Sequence, residues 1–77
     1  MAMRAARFRV LSVLPKKQVG NRGIPLQVPA PVLTAFTPGV VMSGVEIESL
    51  NCEFITPNAG RVYYNDQEYI VNFQPIR

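Results

Sequence analysis

Histidine is absent from this chain, and cysteine occurs once, as Cys52. Without histidine, neither a Ser/His/Asp nor a Cys/His catalytic arrangement can form. A single cysteine excludes an internal disulfide and leaves too few nitrogen and sulfur ligands for a structural zinc site. We therefore expect no metal and no cofactor, and we expect contact with a partner to supply part of the stability of so small a protein.

Charged residues are also scarce, at 17% of 77 residues, whereas 48% are hydrophobic, so the composition does not favour disorder. The chain has room for one small domain. Seven prolines are present, and four of them lie between residues 25 and 38. Each proline removes an N–H donor and clashes with the preceding helical turn, so a helical bundle is excluded.

The charges are divided unevenly along the chain. Residues 1–22 carry six cations and no acid, residues 23–45 carry no charge, and residues 46–77 carry five acids against two cations. The basic region predicts contact with an acidic partner, through Arg4, Arg7 and Arg9 as candidates. That partner would be nucleic acid or the acidic end of another copy; the alternative is that the charges are only solvated.

Neither a secretory signal nor a membrane span is expected. The uncharged run over residues 10–14 is too short for the core of a secretory signal, and no small-residue cleavage site follows it. The uncharged stretch over residues 23–45 is long enough to span a bilayer, but proline and glycine interrupt it too often for a lipid-exposed helix.

Residues 1–22 are predicted to form a basic N-terminal arm with a strand at residues 8–14, because apolar residues alternate there before Pro15. Residues 23–44 are predicted to form an extended, proline-rich and apolar segment. Its Pro-Ala-Pro sequence would also suit a polyproline ligand, but a segment packed on its own sheet or on a neighbour is favoured. We interpret it as a strap between subunits, with Leu26, Val28, Val32, Leu33 and Phe36 as candidate partner contacts.

Residues 45–77 are predicted to form an antiparallel β-meander. Apolar positions fall at 45 and 47 and then shift to 50, 52 and 54, which predicts one strand with a β-bulge near Ser49. Residues 56–60 are typical of a turn in which Asn or Gly accepts positive φ. A two-residue turn at Asn65-Asp66 then sets up three cross-strand pairs: Tyr64 with Gln67, Tyr63 with Glu68 and Val62 with Tyr69. The predicted core face contains Val62, Tyr69, Val71 and Phe73, and Pro75 is predicted to end the strand.

The predicted fold class is therefore mainly β. A small antiparallel meander, partial barrel or sandwich occupies residues 45–74, preceded by the extended arm and the proline-rich strap. Glu46 and Glu48 lie two apart, as paired catalytic carboxylates would on a strand, but solvated alternation explains them better. We predict no catalytic residue, no small-molecule substrate and no enzyme activity.

The function favoured by the sequence is that of a structural or interaction protein, an accessory subunit of a large assembly that contacts neighbouring subunits or copies of itself. By analogy of architecture alone, a component of a virus or bacteriophage particle is the best specific expectation, which would place it in the virion or the cytoplasm. The alternative is a small basic β-barrel that binds nucleic acid by stacking bases on Tyr63, Tyr64 and Phe73. Those aromatics lie in the acidic half of the chain, away from most of the cations.

Overall fold

A computed structural model of the protein describes residues 6–16 and 28–76. Its elements are, in chain order, β1 (Arg7–Pro15), α1 (Ala30–Ala35), β2 (Val41–Ser43), α2 (Gly44–Ser49), β3 (Glu53–Thr56), β4 (Ala59–Tyr64) and β5 (Gln67–Ile76). The five strands form one antiparallel sheet in the order β2-β1-β5-β4-β3. The predicted mainly β, antiparallel class is confirmed, and over the described residues the sheet is open and not closed into a barrel. No helix within these ranges is long and apolar enough to cross a membrane.

The β4–β5 hairpin has the predicted register. Its pairs are Val62 with Tyr69, Tyr63 with Glu68 and Tyr64 with Gln67. Asn65 and Asp66 have φ values of 51° and 63°, the two positive values that a type I′ turn requires. The predicted core face is also confirmed, since Val62, Tyr69, Val71 and Phe73 are all buried.

Strand β5 continues past Pro75, where the sequence predicted its end. Strand β4 pairs with β5 only as far as Asn72, so beyond that residue one side of β5 has no neighbouring described strand. The N–H of Phe73 points to that side and donates to the Asn58 carbonyl at 2.7 Å. Two residues further on, the nitrogen of Pro75 points the same way, so its missing N–H removes no ladder hydrogen bond.

Strand β1 lies inside the sheet, so the prediction of an arm is wrong for residues 7–15, whereas the predicted strand at 8–14 is confirmed. A bulge shifts its register between Val10 and Ser12, with Leu11 as the extra residue. Val10 therefore faces the core before the bulge and Val13 faces it afterwards. Simple alternation over residues 8–14 had placed these two side chains on opposite faces.

Residues 30–35 form helix α1, so the prediction of an extended segment over 23–44 is wrong at this point. Pro29 is the N-cap and Pro31 lies in the first turn, where proline needs no N–H and its ring presets a helical φ. Val32 and Phe36, one turn apart, are 4% and 1% exposed. These two side chains therefore belong to the chain's own core and are not exposed for contact with a partner, because the helical spacing turns both toward the sheet.

Residues 44–49 form helix α2, where the sequence predicted a strand with a bulge near Ser49. The helix begins with a capping box: Ser43 Oγ accepts a hydrogen bond from Glu46 N–H at 3.1 Å, and Ser43 N–H donates to Glu46 Oε1 at 2.9 Å. Ile47 is fully buried. The apolar phase shift after Ser49 therefore marks the end of a helix, followed by Asn51 with a φ of 62°.

Side chains from both helices join the inward-facing strand residues in one cluster, which contains Phe8, Val10, Val13, Val32, Phe36, Met42, Ile47, Cys52, Val62, Tyr69, Val71 and Phe73. Phe54 packs at its margin, with ring centroids 5.1 Å from Phe8 and 5.5 Å from Phe73. Because the cluster holds the inward residues of the sheet together with both helices, the helices lie on one face of the sheet. The described helices leave the opposite face uncovered.

Candidate functional site

The candidate site is the face of the sheet opposite the helices, which we call the outer face. Its residues alternate along each strand with the core residues. On β1 these are Arg7, Arg9, Leu11, Ser12 and Leu14, and on β4 and β5 they are Arg61, Tyr63, Glu68, Ile70, Asn72 and Gln74. The outer face has a cationic end, an apolar middle and an end of paired charges.

The cationic end consists of Arg7 and Arg9, both exposed on β1. Ser43 and Ile76 flank Arg7 across the sheet, while Val41 and Gln74 flank Arg9, so no acid lies directly opposite either arginine. Within the described parts of the chain, neither guanidinium makes a hydrogen bond or an ion pair. Their donors are available to a carboxylate or phosphate of another molecule.

The apolar middle follows directly on the same strand. Leu11 and Leu14 are 50% and 53% exposed, and Val41, beside Arg9 on β2, is 42% exposed. The bulge at Leu11 is responsible, because it reverses the alternation after it: residues 12 and 14 turn outward beside Leu11, and Val13 turns into the core with Val10. Apolar side chains therefore lie in water next to two unpaired cations.

The polar residues further along the outer face are paired with one another. Arg61 Nε donates to Glu53 Oε1 at 2.9 Å, and this hydrogen bond, reinforced by the charge of the carboxylate, raises the pKa of the guanidinium. Lys16 Nζ lies 3.4 Å from Glu68 Oε2. The cationic end, Arg7 and Arg9, is therefore the part of the outer face whose charges have no partner among the described residues.

The predicted contact residues are divided between the two sides of the molecule. Arg7 and Arg9 lie on the outer face, whereas Leu33, 39% exposed, lies on α1 on the helical side, and Val28 packs half-buried against the core. Arg4 and Leu26 lie outside the described residues. Leu11 and Leu14 were not among the predicted contacts, because only the bulge places both of them on the outer face.

The aromatic residues predicted to stack on nucleic-acid bases are not brought together. Tyr63 is 60% exposed on the outer face, but Phe73 is 1% exposed in the core and Tyr64 is half-buried against it. The two cations nearest Tyr63 in the sheet, Lys16 and Arg61, are both paired with glutamates. The predicted stacking platform is therefore reduced to one tyrosine.

Groups suited to chemistry are few in the described residues. Cys52 is buried, and burial raises the pKa of its thiol from 9.0 to about 11, so the thiolate is disfavoured. An open, polar cleft is lined by Lys16, Tyr63, Asp66, Gln67 and Glu68. Within residues 6–16 and 28–76, no three His, Cys, Asp or Glu side chains are grouped to hold a metal ion.

Comparisons of the chain with protein-family models, with curated proteins and with solved structures find no match. Over the described residues, the fold is a small, open antiparallel sheet with both helices on one face. The other face carries the exposed arginines and leucines of β1.

Proposed function

We propose that this protein is a non-enzymatic interaction protein that docks on another protein through the outer face of its sheet, as an accessory subunit of a larger assembly. One observation carries the proposal: Leu11 and Leu14 are half exposed on the same strand face as the unpaired Arg7 and Arg9. Burying apolar surface contributes about 25 cal/mol per Å² before ordering costs. A partner that offers apolar and acidic groups together would satisfy both halves of this surface.

The proposed docking surface differs from the strap predicted from the sequence. Val32 and Phe36 stabilise the chain's own fold, so β1 takes the role that the strap was expected to have. Arg7 and Arg9 keep their proposed role, and contacts through Arg4, Leu26, Val28 and Leu33 stay predictions. That the assembly is a virus or bacteriophage particle also stays a hypothesis, based on analogy of architecture alone.

Nucleic-acid binding is the second candidate, since unpaired arginines also suit phosphates. Each phosphate neutralised on binding releases counterions, so this candidate predicts affinity for an oligonucleotide that falls steeply with salt. It also predicts that Arg7→Glu together with Arg9→Glu removes the binding. An oligonucleotide titration with little affinity at low salt would eliminate it. The placement of Phe73 and Tyr64 favours that result.

Photo-cross-linking tests the docking proposal in cells that make the protein. A benzophenone amino acid replaces Leu14 on the outer face, and the matched control replaces Thr34, which is exposed on α1 on the helical side. We expect a discrete protein adduct from position 14 that is absent from position 34 and is lost on Arg9→Glu. A nuclease-sensitive adduct would support the nucleic-acid candidate, and adducts equal from both positions would contradict docking through the outer face.

A further inference from the structure

We propose that the partner contributes a β-strand to this sheet. This inference rests on the proposed function and specifies how docking occurs. The segment of β1 that β2 leaves uncovered, residues 11–15, is called the open edge. The inferred occupant is an extended segment of a different protein that is apolar along its length and acidic at the end that meets Arg9, added to the sheet in line with β2.

The open edge exists because β2 is much shorter than β1. Strand β2 pairs only with Arg7 to Arg9. The next residue, Val10, is bound by the chain that precedes β2: its N–H donates to the Val40 carbonyl at 2.9 Å, and its carbonyl accepts from Gly39 N–H at 2.7 Å. Beyond Val10, β5 continues to pair with β1 as far as Pro15, but no described residue pairs with the other side.

The hydrogen bonds between β1 and β5 determine which backbone groups of the open edge point outward. Lys16 N–H donates to the Glu68 carbonyl on β5 at 2.9 Å. Because hydrogen-bonding direction alternates along an antiparallel strand, residues 14 and 12 face β5 as well, whereas Val13 and Pro15 face away from it. The N–H and carbonyl of Val13 and the carbonyl of Pro15 are thus presented to an added strand. Proline has no N–H, so the site suits a short segment and resists open-ended pairing.

The side chains around the open edge indicate the apolar part of the occupant. Leu11 and Leu14 project from the strand itself, half exposed, and Val41, 42% exposed, lies on the outer face where an added strand would meet β2. Apolar side chains of that strand would cover them on the outer face. The same segment would therefore satisfy the open backbone groups and the exposed apolar surface together.

Charge indicates the acidic part of the occupant, and the hydrogen bonds of β1 argue against a second copy. Arg9, which makes no ion pair among the described residues, lies toward one end of the open edge, whereas Lys16, just beyond the other end, is already paired with Glu68. Two copies paired antiparallel about Val13 would set residue 16 of each opposite Val10 of the other, whose outward backbone groups are already bonded within the chain. A foreign strand with an acid beside Arg9 is therefore favoured over self-pairing.

Amide hydrogen exchange on the free protein provides the first test. The Val13 amide should exchange much faster than that of Leu14, although the Val13 side chain is buried, because only Leu14 donates to β5. Equal protection of both amides in a monodisperse monomer would show that the edge is already covered, and it would overturn the inference.

Two synthetic peptides of about nine residues, alternating Val and Thr, provide the second test, one with Glu and one with Lys at both ends. The Glu peptide should slow Val13 exchange by at least roughly tenfold at millimolar concentration, and the Lys peptide should not. Arg9→Glu should reverse this preference, while Thr34→Glu on the helical side should leave it unchanged. No slowing of Val13 exchange by the Glu peptide would overturn the inference.

The two proposals fail separately. If position 14 cross-links to a protein but Val13 exchange in that complex is unchanged, docking through the outer face stands and strand addition is overturned. If cross-linking shows no protein contact at position 14, the proposed function fails, and slowing of Val13 exchange by the Glu peptide would support only the open edge as a strand-binding site.

Discussion

Gly60 lies so close to Cys52 that a Cβ added at residue 60 would sit 2.7 Å from the cysteine Sγ. The same Cβ would lie 3.2 Å from both the Glu53 carbonyl oxygen and Phe73 Cε2. Gly60 does not have positive φ, and neither does Asn58, so the positive φ predicted for this turn is absent. Glycine is required at residue 60 by the space that Cys52 and Phe73 occupy.

Replacing Gly60 with Ala should therefore lower the free energy of unfolding by about 1–3 kcal/mol through overpacking, as measured by urea denaturation. Because the nearest atom is Cys52 Sγ, the cost should be smaller in a Cys52→Ala background. Recovery should be partial, since the contacts with Glu53 and Phe73 remain. An equal cost in both backgrounds would contradict this account of the contact.

The raised pKa of Cys52 predicts low reactivity and a pH dependence. At neutral pH the native thiol should resist alkylation and react only after unfolding. The unfolded chain loses the thiol proton near pH 9 and the native chain near 11, so this contribution to stability is present below pH 9 and is lost as pH rises toward 11. Cys52→Ala should flatten the stability profile over that window. An unchanged slope in that variant would exclude Cys52 as its source.

The capping box of α2 predicts that Ser43→Ala costs about 1 kcal/mol, measured by thermal or urea denaturation. Ser43→Asp is the matched control, because it keeps a side-chain acceptor for the Glu46 N–H and should retain most of the stability. If both variants lose the same amount, the cap hydrogen bond is not what stabilises the start of this helix.

Val71 is fully buried opposite Val13 and Gly60, in the middle of the sheet. Val71→Asp would place an unpaired charge there and should abolish folding, seen as loss of the cooperative transition. Gln74→Asp, exposed on the same strand, should leave that transition nearly unchanged. Normal folding of Val71→Asp would mean that the register of β5 is wrong.

The hairpin was predictable because its determinants are local. Asn65 and Asp66 tolerate the positive φ of a type I′ turn, and that turn fixes every cross-strand pair back to Val62. Helix α2 was missed because two apolar residues at a spacing of two, 45 and 47, fit a strand as well as a short helix. The Ser-x-x-Glu pattern from Ser43 to Glu46 was the available signal.

The candidate site was only partly predictable, because it depends on long-range pairing. The exposure of Leu14 beside Leu11 requires the bulge in β1, and the open edge requires β2 to stop after three residues. Arg7 and Arg9 were predicted as contacts because the sequence shows an excess of basic residues over residues 1–22. Val32 and Phe36 were assigned to a partner because nothing in the proline-rich segment shows that it folds back on the sheet.

Hydroxyl-radical footprinting of leucines, in the free protein and in the assembly that contains it, tests docking through the outer face most directly. Leu11 and Leu14 report on the outer face, and Leu33 is the control on the helical side, exposed by 39%. We predict that Leu11 and Leu14 are labelled in the free protein and protected in the assembly, while Leu33 is labelled equally in both. Unchanged labelling of Leu11 and Leu14 together with protection of Leu33 would contradict the account and would place the docking surface on the helices.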